Sequence, residues 1–223
     1  MSTITTEQQA SIASKLASMR LPYGLGNEQS ACSIAAINLA LSGRLTDEIP
    51  DCMSEVIGCW IIVIQDAMPG ELRNSAKWKS LLPLAAGTGR EQEQERLKII
   101  LDWMWGTVLP SLQPLADQQG FGEQWQKMTT ERTAESANAA AMATWAEAHW
   151  VARATWAAAE ATGVANAAEA AHRVAKATWA AARAAEARAA EAGEDVWANF
   201  DPCGLLERLI KIDNNAQGAP HAE

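Results

Sequence analysis

The sequence predicts an all-α protein, and two observations carry this prediction. Between Thr133 and Gly193 about half of the positions are alanine, the residue with the highest intrinsic helix propensity. Elsewhere apolar residues recur at helical spacing, and no segment alternates apolar and polar residues over the length of a strand. The expected architecture is a compact N-terminal helical bundle packed with a long, alanine- and tryptophan-rich antiparallel helical hairpin.

The first part of the chain predicts short helices separated by glycine and proline. A first helix is expected over about 6–19, because its apolar residues lie on one side. A second is expected over 27–42, with Asn27 as its N-cap after a glycine-rich turn. A third helix is expected over about 53–68 and a short fourth over about 71–82, each ended by proline.

Capping and breaking residues define the remaining helices. Thr88 and Glu91 have the spacing of a capping box, which predicts a helix from there to about Val108. After two prolines and a glycine pair, Glu123 is expected to start a helix that continues into the alanine-rich stretch. Pro202 suits the first position of a last helix.

An internal repeat predicts the hairpin. The segment Val151–Ala159 recurs as Val174–Ala182, 23 residues later, and the only glycine between the ends of the alanine-rich stretch is Gly163. Two long helices are therefore expected to fold back on each other at this glycine. Since alanine buries little area, Trp156 and Trp179 are expected to be mostly buried and to supply the apolar core.

These elements predict a helical half over 1–120 and, over 121–212, the alanine-rich hairpin with a C-terminal helix docked on it. The two are expected to form one packed unit, because an alanine hairpin has little core of its own. The polar segment 213–223 contains glycine and proline and is expected to be a disordered tail.

Charge and composition exclude several classes of partner. The net charge of −9 argues against a nucleic acid polymer or an anionic membrane surface as the partner. The first twenty residues are polar rather than apolar, and no apolar run is long enough to cross a membrane. A cytoplasmic location with reduced cysteines is expected, and a homo-oligomer is left open.

The sequence contains no recognisable catalytic signature. It has three histidines, His149, His172 and His221. The first two stand at equivalent positions of the repeat, but no cysteine or aspartate accompanies both at a similar spacing, and His221 lies in the predicted tail. The four cysteines have no metal-ligand spacing. The sequence therefore predicts no catalytic residue, no metal site and no cofactor.

Six residues of the N-terminal half are the candidate ligand-binding residues. Arg44 and Arg90 would meet anionic groups, helped by the helix start at Thr88. Either Trp78 or Trp105 would stack on a ring of the ligand. Asn27 would accept or donate a hydrogen bond at the first glycine-rich turn. The alternative is that each of these residues caps a helix or packs in the core. The six are Arg44, Arg90, Trp78, Trp105, Asn27 and Thr88.

Two stretches resemble known proteins. The segments Ala143–Ala148 and Ala177–Ala182, which read ATWAEA and ATWAAA, look like an alanine- and tryptophan-rich helical family of immunity proteins. That resemblance implies a cytoplasmic, non-enzymatic protein that binds a toxin partner. The segments Asp51–Gly58 and Leu82–Arg90 are similar to uncharacterised proteins of bacteria and their phages.

Three functions remain open from the sequence. The first is a non-enzymatic binding protein that sequesters a nucleotide-like immune signal in a conflict between phage and bacterial defence. The second is an immunity-like protein that binds and neutralises a protein toxin through its acidic surface. The third is an enzyme of a class that the sequence does not reveal.

Overall fold

The computed structural model describes residues 4–144, 149–192 and 195–216, and it confirms the all-α class. Contacts between residues group the chain into two compact units, 1–96 with 203–223, and 97–202. The predicted division at residue 120 stays a prediction.

The helices follow one another through the described chain, with a two-stranded hairpin of β1 and β2 between the first two. In chain order the elements are α1 (Thr6–Ser18), β1 (Gly26–Asn27), β2 (Ser30–Ala31), α2 (Ser33–Ser42), α3 (Glu55–Ala67), α4 (Gly70–Arg73), α5 (Ala76–Ala85), α6 (Glu93–Trp103), α7 (Gln113–Gln118), α8 (Gly122–Glu131), α9 (Ala134–Thr144), α10 (His149–Gly163), α11 (Ala167–Ala192), α12 (Val196–Phe200) and α13 (Pro202–Ala216).

The first unit has a core of large apolar side chains from α1, α2, α3 and α5, which pack against one another. Its fully buried members include Ile12, Leu16, Ile34, Ile37, Ile57, Trp60 and Trp78. In the second unit α9, α10 and α11 are lined mainly by buried alanine, and larger buried residues lie in the neighbouring segments. These include Trp103, Trp105, Trp125 and Phe200.

A β-hairpin replaces the first turn of the predicted second helix. Gly26 has a φ of +81°, and a Cβ atom there would lie 2.0 Å from the Ser30 carbonyl oxygen, so the turn requires glycine. The Asn27 side chain accepts a hydrogen bond from the Ser30 N–H at 3.0 Å and thereby closes the turn between β1 and β2. Helix α2 therefore begins at Ser33, with Cys32 as its N-cap, rather than after Asn27.

The helix predicted from the capping box at residue 88 starts later and changes its winding. It begins at Glu93 and is α-helical only to Trp103. The following turn, Met104–Val108, is π-helical, and the Leu109 N–H donates to the Met104 carbonyl at 3.0 Å. Next to this turn, the Trp103 indole N–H donates to the Phe200 carbonyl at 2.7 Å, which anchors the ring in the second unit.

The alanine-rich stretch reverses after Gly163 as predicted, because α10 ends there and α11 begins at Ala167. The two helices are antiparallel and pack together, and an ion pair of 2.6 Å joins Glu160 of α10 to Arg173 of α11. The prediction of one continuous first arm is wrong. Helix α8 ends at Glu131, its C-cap Arg132 has the left-handed conformation, and α9 packs beside α10 instead of extending it.

The last helix begins at Pro202 as predicted and continues to Ala216. The first four residues of the predicted tail, 213–216, are therefore helical. The rest of that tail, 217–223, lies outside the described residues.

Candidate functional site

Two of the six predicted ligand residues, Thr88 and Arg90, lie in the loop before α6. The Thr88 side chain is buried, and its hydroxyl oxygen accepts a hydrogen bond from the Ser54 N–H at 3.1 Å. The Arg90 guanidinium forms ion pairs with the carboxylates of Glu55 and Asp51, the latter at 3.7 Å. Arg90 is thus already balanced by carboxylates of its own unit.

The helix start beside these residues holds the carboxylate of Glu93. Its two oxygens accept hydrogen bonds from the Ser54 hydroxyl at 2.7 Å, the Glu55 N–H at 2.8 Å and the Val56 N–H at 3.1 Å. A helix N-terminus with free N–H groups is a ready site for a phosphate. At the start of α3 that position is taken by the chain's own anion.

The two predicted stacking residues lie in the cores of different units. The Trp78 ring is fully buried, its indole N–H donates to the Ser33 hydroxyl at 3.2 Å, and its centroid lies 6.1 Å from that of Trp60. Trp105 is only 3% exposed and belongs to the second unit. Neither ring presents a face to solvent for stacking on a ligand.

Arg44 and Asn27 are both exposed in the first unit. Arg44 pairs with Glu48 at 3.8 Å, four residues later in the same loop. Asn27 closes the hairpin turn described above. Within the described chain, no hydrogen bond or ion pair joins either residue to the loop that carries Thr88 and Arg90.

Two concavities in the described chain do not have the form of a nucleotide pocket. One encloses about 40 Å³ beside Gly24, Gln65 and Asp66, enough for water molecules. Pockets for drug-sized ligands typically enclose about 300–1,000 Å³ between apolar walls. The other encloses about 290 Å³, but it lies along α8 alone. Its lining consists of Glu123, Gln126, Lys127, Thr130 and Glu131.

A cluster of tryptophan side chains around one arginine lies on the surface of α10 and α11. The rings of Trp150 and Trp179 meet edge to face, with centroids 5.5 Å apart and an interplanar angle of 70°. The Arg153 guanidinium carbon lies 5.2 Å from the first centroid and 5.8 Å from the second. Trp156 follows on the same helix and is 40% exposed. We call these four residues the tryptophan patch.

Three buried threonines precede tryptophans in the repeats, and two of them orient Trp156 and Trp179. Thr144, Thr155 and Thr178 are fully buried, and each hydroxyl donates to a carbonyl of its own helix, at 3.1, 2.9 and 3.0 Å respectively. Successive helical residues are about 100° apart. In Arg153-Ala-Thr-Trp156, Arg153 is therefore about 160° around the helix from the buried threonine and is exposed, whereas Trp156 is about 100° from it and lies at the edge of the core.

The prediction that Trp156 is mostly buried is wrong, and Trp179 is only partly buried. The packed faces of α10 are made of small residues, which let neighbouring helices approach closely. A tryptophan does not fit between helices at such a distance, so Trp156 lies on the remaining face of α10. The buried alanines of this helix include Ala152, Ala154, Ala157, Ala158 and Ala161.

The surroundings shift the pKa of one histidine and of three cysteines. Burial lowers the pKa of His172, and the cations of Lys176 and Arg173 lower it further. The side chain of His149 and all of His221 lie outside the described residues. Burial raises the thiol pKa of three cysteines, which disfavours the reactive thiolate. These are Cys32, Cys52 and Cys59.

Within residues 4–144, 149–192 and 195–216, no three His, Cys, Asp or Glu side chains lie close enough together to hold a metal ion. No helix in the same ranges combines the length and the apolar character needed to cross a membrane. No protein-family model, curated protein or solved structure matches the chain.

The tryptophan patch contains none of the six predicted ligand residues, although the sequence carries a signal for it. Trp150, Arg153 and Trp156 are spaced three residues apart, which makes each one a neighbour of the next on the surface of a helix. The repeat places Lys176 three residues before Trp179 in the same way. Two cation–tryptophan pairs at equal spacing favour a surface cluster over a core, because arginine and lysine are rarely buried.

Proposed function

We propose that the protein is a non-enzymatic binding protein that docks a protein partner through the tryptophan patch. The observation that carries this proposal is the exposure of Trp156, 40%, three residues after an arginine that contacts two further tryptophans on adjacent helices. Tryptophan and arginine are the residue types most enriched where binding energy concentrates in protein interfaces. A rigid group of them on two packed helices suits such a role.

The free energy available from the patch is sufficient for an interface anchor. A tryptophan buries about 150–250 Å² when it is fully covered, and apolar area contributes about 25 cal/mol per Å². Covering the exposed fraction of Trp156 would therefore contribute roughly 2 kcal/mol. The half-buried rings of Trp150 and Trp179 would add to this as a partner excludes water from them.

The partner favoured by these features is a protein toxin, in an immunity-like role in the cytoplasm. One of the two segments that resemble immunity proteins, Ala177–Ala182, lies on α11, the helix that carries Trp179 of the patch. The exposed surface of two packed helices also suits a protein better than a small molecule, which is usually held in a concave site.

Sequestration of a nucleotide-like signal is the alternative proposal, and it has less support. Its stacking candidates Trp78 and Trp105 are buried, and its cation Arg90 is paired with Glu55 and Asp51. A nucleotide would have to displace those carboxylates. It would also need a cavity larger than the 40 Å³ beside Asp66.

Site-specific cross-linking tests the docking proposal. A photoreactive p-benzoylphenylalanine at Trp156 is expected to form a covalent adduct with one protein partner in the cells that express the chain. The same amino acid at Tyr23, an aromatic residue that is 71% exposed in the first unit, is the matched control and should give no such adduct. The adduct is identified by mass spectrometry, and the partner is then produced in purified form.

Calorimetric titration with a panel of cyclic and ADP-ribose-derived nucleotides tests the small-molecule alternative. No heat of binding is expected at micromolar concentrations. Tight binding of a panel member, together with equal amounts of cross-linked protein from positions 156 and 23, would contradict the docking proposal and support sequestration of a small molecule. Turnover of a panel member would make the protein an enzyme.

A further inference from the structure

We infer that the partner presents a carboxylate to Arg153, from an Asp or Glu side chain that stands next to an apolar residue. This inference rests on the proposed docking function and specifies the chemistry that the tryptophan patch recognises. It follows from the surroundings of Arg153, from the geometry of its guanidinium and from the charges nearby.

Arg153 has no anionic partner within the described chain. Its contacts there are the two tryptophan rings, at 5.2 and 5.8 Å from their centroids, and no carboxylate or carbonyl oxygen accepts from it. Arg173 on the adjacent helix differs, since it pairs with Glu160 at 2.6 Å and Glu169 at 3.3 Å. The patch thus holds a cation in place without using its hydrogen-bond donors.

Contact with the rings orients the guanidinium and leaves its donors available. The attraction between a cation and an aromatic ring does not use the N–H groups, which lie in the plane of the guanidinium and match the two oxygens of a carboxylate. Because the rings already restrict Arg153, less side-chain entropy is lost when a partner binds. An apolar residue next to the carboxylate would reach Trp156, three positions further along α10.

Among the described residues, the charges next to the patch are complementary to an anion despite the net charge of −9. Lys176, three residues before Trp179, also has no ion pair in the described part of the chain and adds a second cation. The carboxylate of Glu160, one turn beyond Trp156, is paired with Arg173, which also pairs with Glu169. Distant acidic groups are screened beyond about 8 Å at physiological ionic strength. Two isolated cations suit a carboxylate, whereas nucleic acid requires a broad basic surface.

Selection from a displayed library of random peptides tests the inference. Peptides that bind the full-length protein are expected to carry Asp or Glu next to an apolar residue. Their affinity should fall about tenfold with Arg153→Met, as expected for loss of one charge-assisted pair. Arg208→Met is the matched control, because Arg208 is an exposed helical arginine of α13 without an ion pair or aromatic contact among the described residues. This control should leave the affinity unchanged.

Charge reversal provides the decisive comparison. A selected peptide with its acidic residue changed to lysine should bind Arg153→Glu better than it binds the unaltered protein. Peptides that bind Arg153→Met normally but lose binding with Trp156→Ala would overturn the carboxylate inference and leave the docking function standing. Failure to select any peptide that depends on either residue would contradict both.

Discussion

Replacing Trp78 with alanine is expected to lower the free energy of unfolding by about 3–5 kcal/mol, the usual cost of removing a buried tryptophan. The ring is fully buried, its indole N–H donates to Ser33 at 3.2 Å, and it lies against Trp60. The substitution therefore creates a cavity and leaves the Ser33 hydroxyl without this donor. Chemical denaturation of the two proteins measures the difference.

Trp156→Ala is the comparison for this prediction, because its ring is 40% exposed and its removal opens no closed cavity. We expect a loss of about 1 kcal/mol or less, as is usual for surface substitutions. An equal loss of unfolding free energy in the two variants would contradict the assignment of Trp78 to the core and Trp156 to the surface. A stable Trp78→Ala variant that had lost a nucleotide ligand would instead restore the predicted stacking role.

Replacing Arg96 with methionine is expected to lower the free energy of unfolding by roughly 3 kcal/mol, since buried polar groups that lose their partner cost about 1–3 kcal/mol each. The Arg96 side chain is fully buried in the first unit. It donates to the carbonyl oxygens of Thr88 at 3.1 Å, Gly89 at 3.4 Å and Leu209 at 3.4 Å. These bonds join the loop before α6 to the last helix, α13.

Urea denaturation measures the effect of Arg96→Met against Arg208→Met, which removes an exposed arginine and should change stability little. Arg96→Lys is expected to lie between the two, because a lysine retains the charge but not the planar fork of donors. Equal stability of the Arg96→Met and Arg208→Met variants would contradict the role assigned to the buried guanidinium.

Local sequence patterns predicted the helical class and the reversal after Gly163, and both depend on interactions between near neighbours. Alanine favours the helix at each position, and Asn166 caps α11 by accepting from the Glu169 N–H at 2.9 Å. The break between α8 and α9 also has a local signal in the sequence. The Thr133 hydroxyl accepts from the Ser136 N–H at 3.1 Å, which is a local capping pattern.

The surroundings of the predicted ligand residues depend on contacts between distant parts of the sequence. The spacing of Thr88 and Glu91 allowed a capping box, but Thr88 instead accepts from Ser54. Glu93 reaches the start of α3, nearly forty residues earlier in the chain. No local pattern in the sequence specifies such a pairing, since it depends on how the helices pack.

The tryptophan patch was missed for a different reason. In a helix with alanine on most sides, the apolar pattern does not indicate which side faces the neighbouring helices. The apolar pattern is therefore equally compatible with Trp156 in the core and with Trp156 on the surface. The position of Thr155 decides between them, because its burial turns Arg153 outward and leaves Trp156 at the edge of the core.

The measurement that tests the docking role most directly is the affinity of the purified, cross-linked partner for Trp156→Ala and Tyr23→Ala, with thermal unfolding followed on the same samples. We expect Trp156→Ala to bind at least about thirtyfold more weakly, the effect of an interface residue that contributes about 2 kcal/mol. Tyr23→Ala should bind like the unaltered protein, and both variants should unfold at nearly the same temperature as it does. Unchanged affinity of a folded Trp156→Ala variant would contradict the proposed docking site.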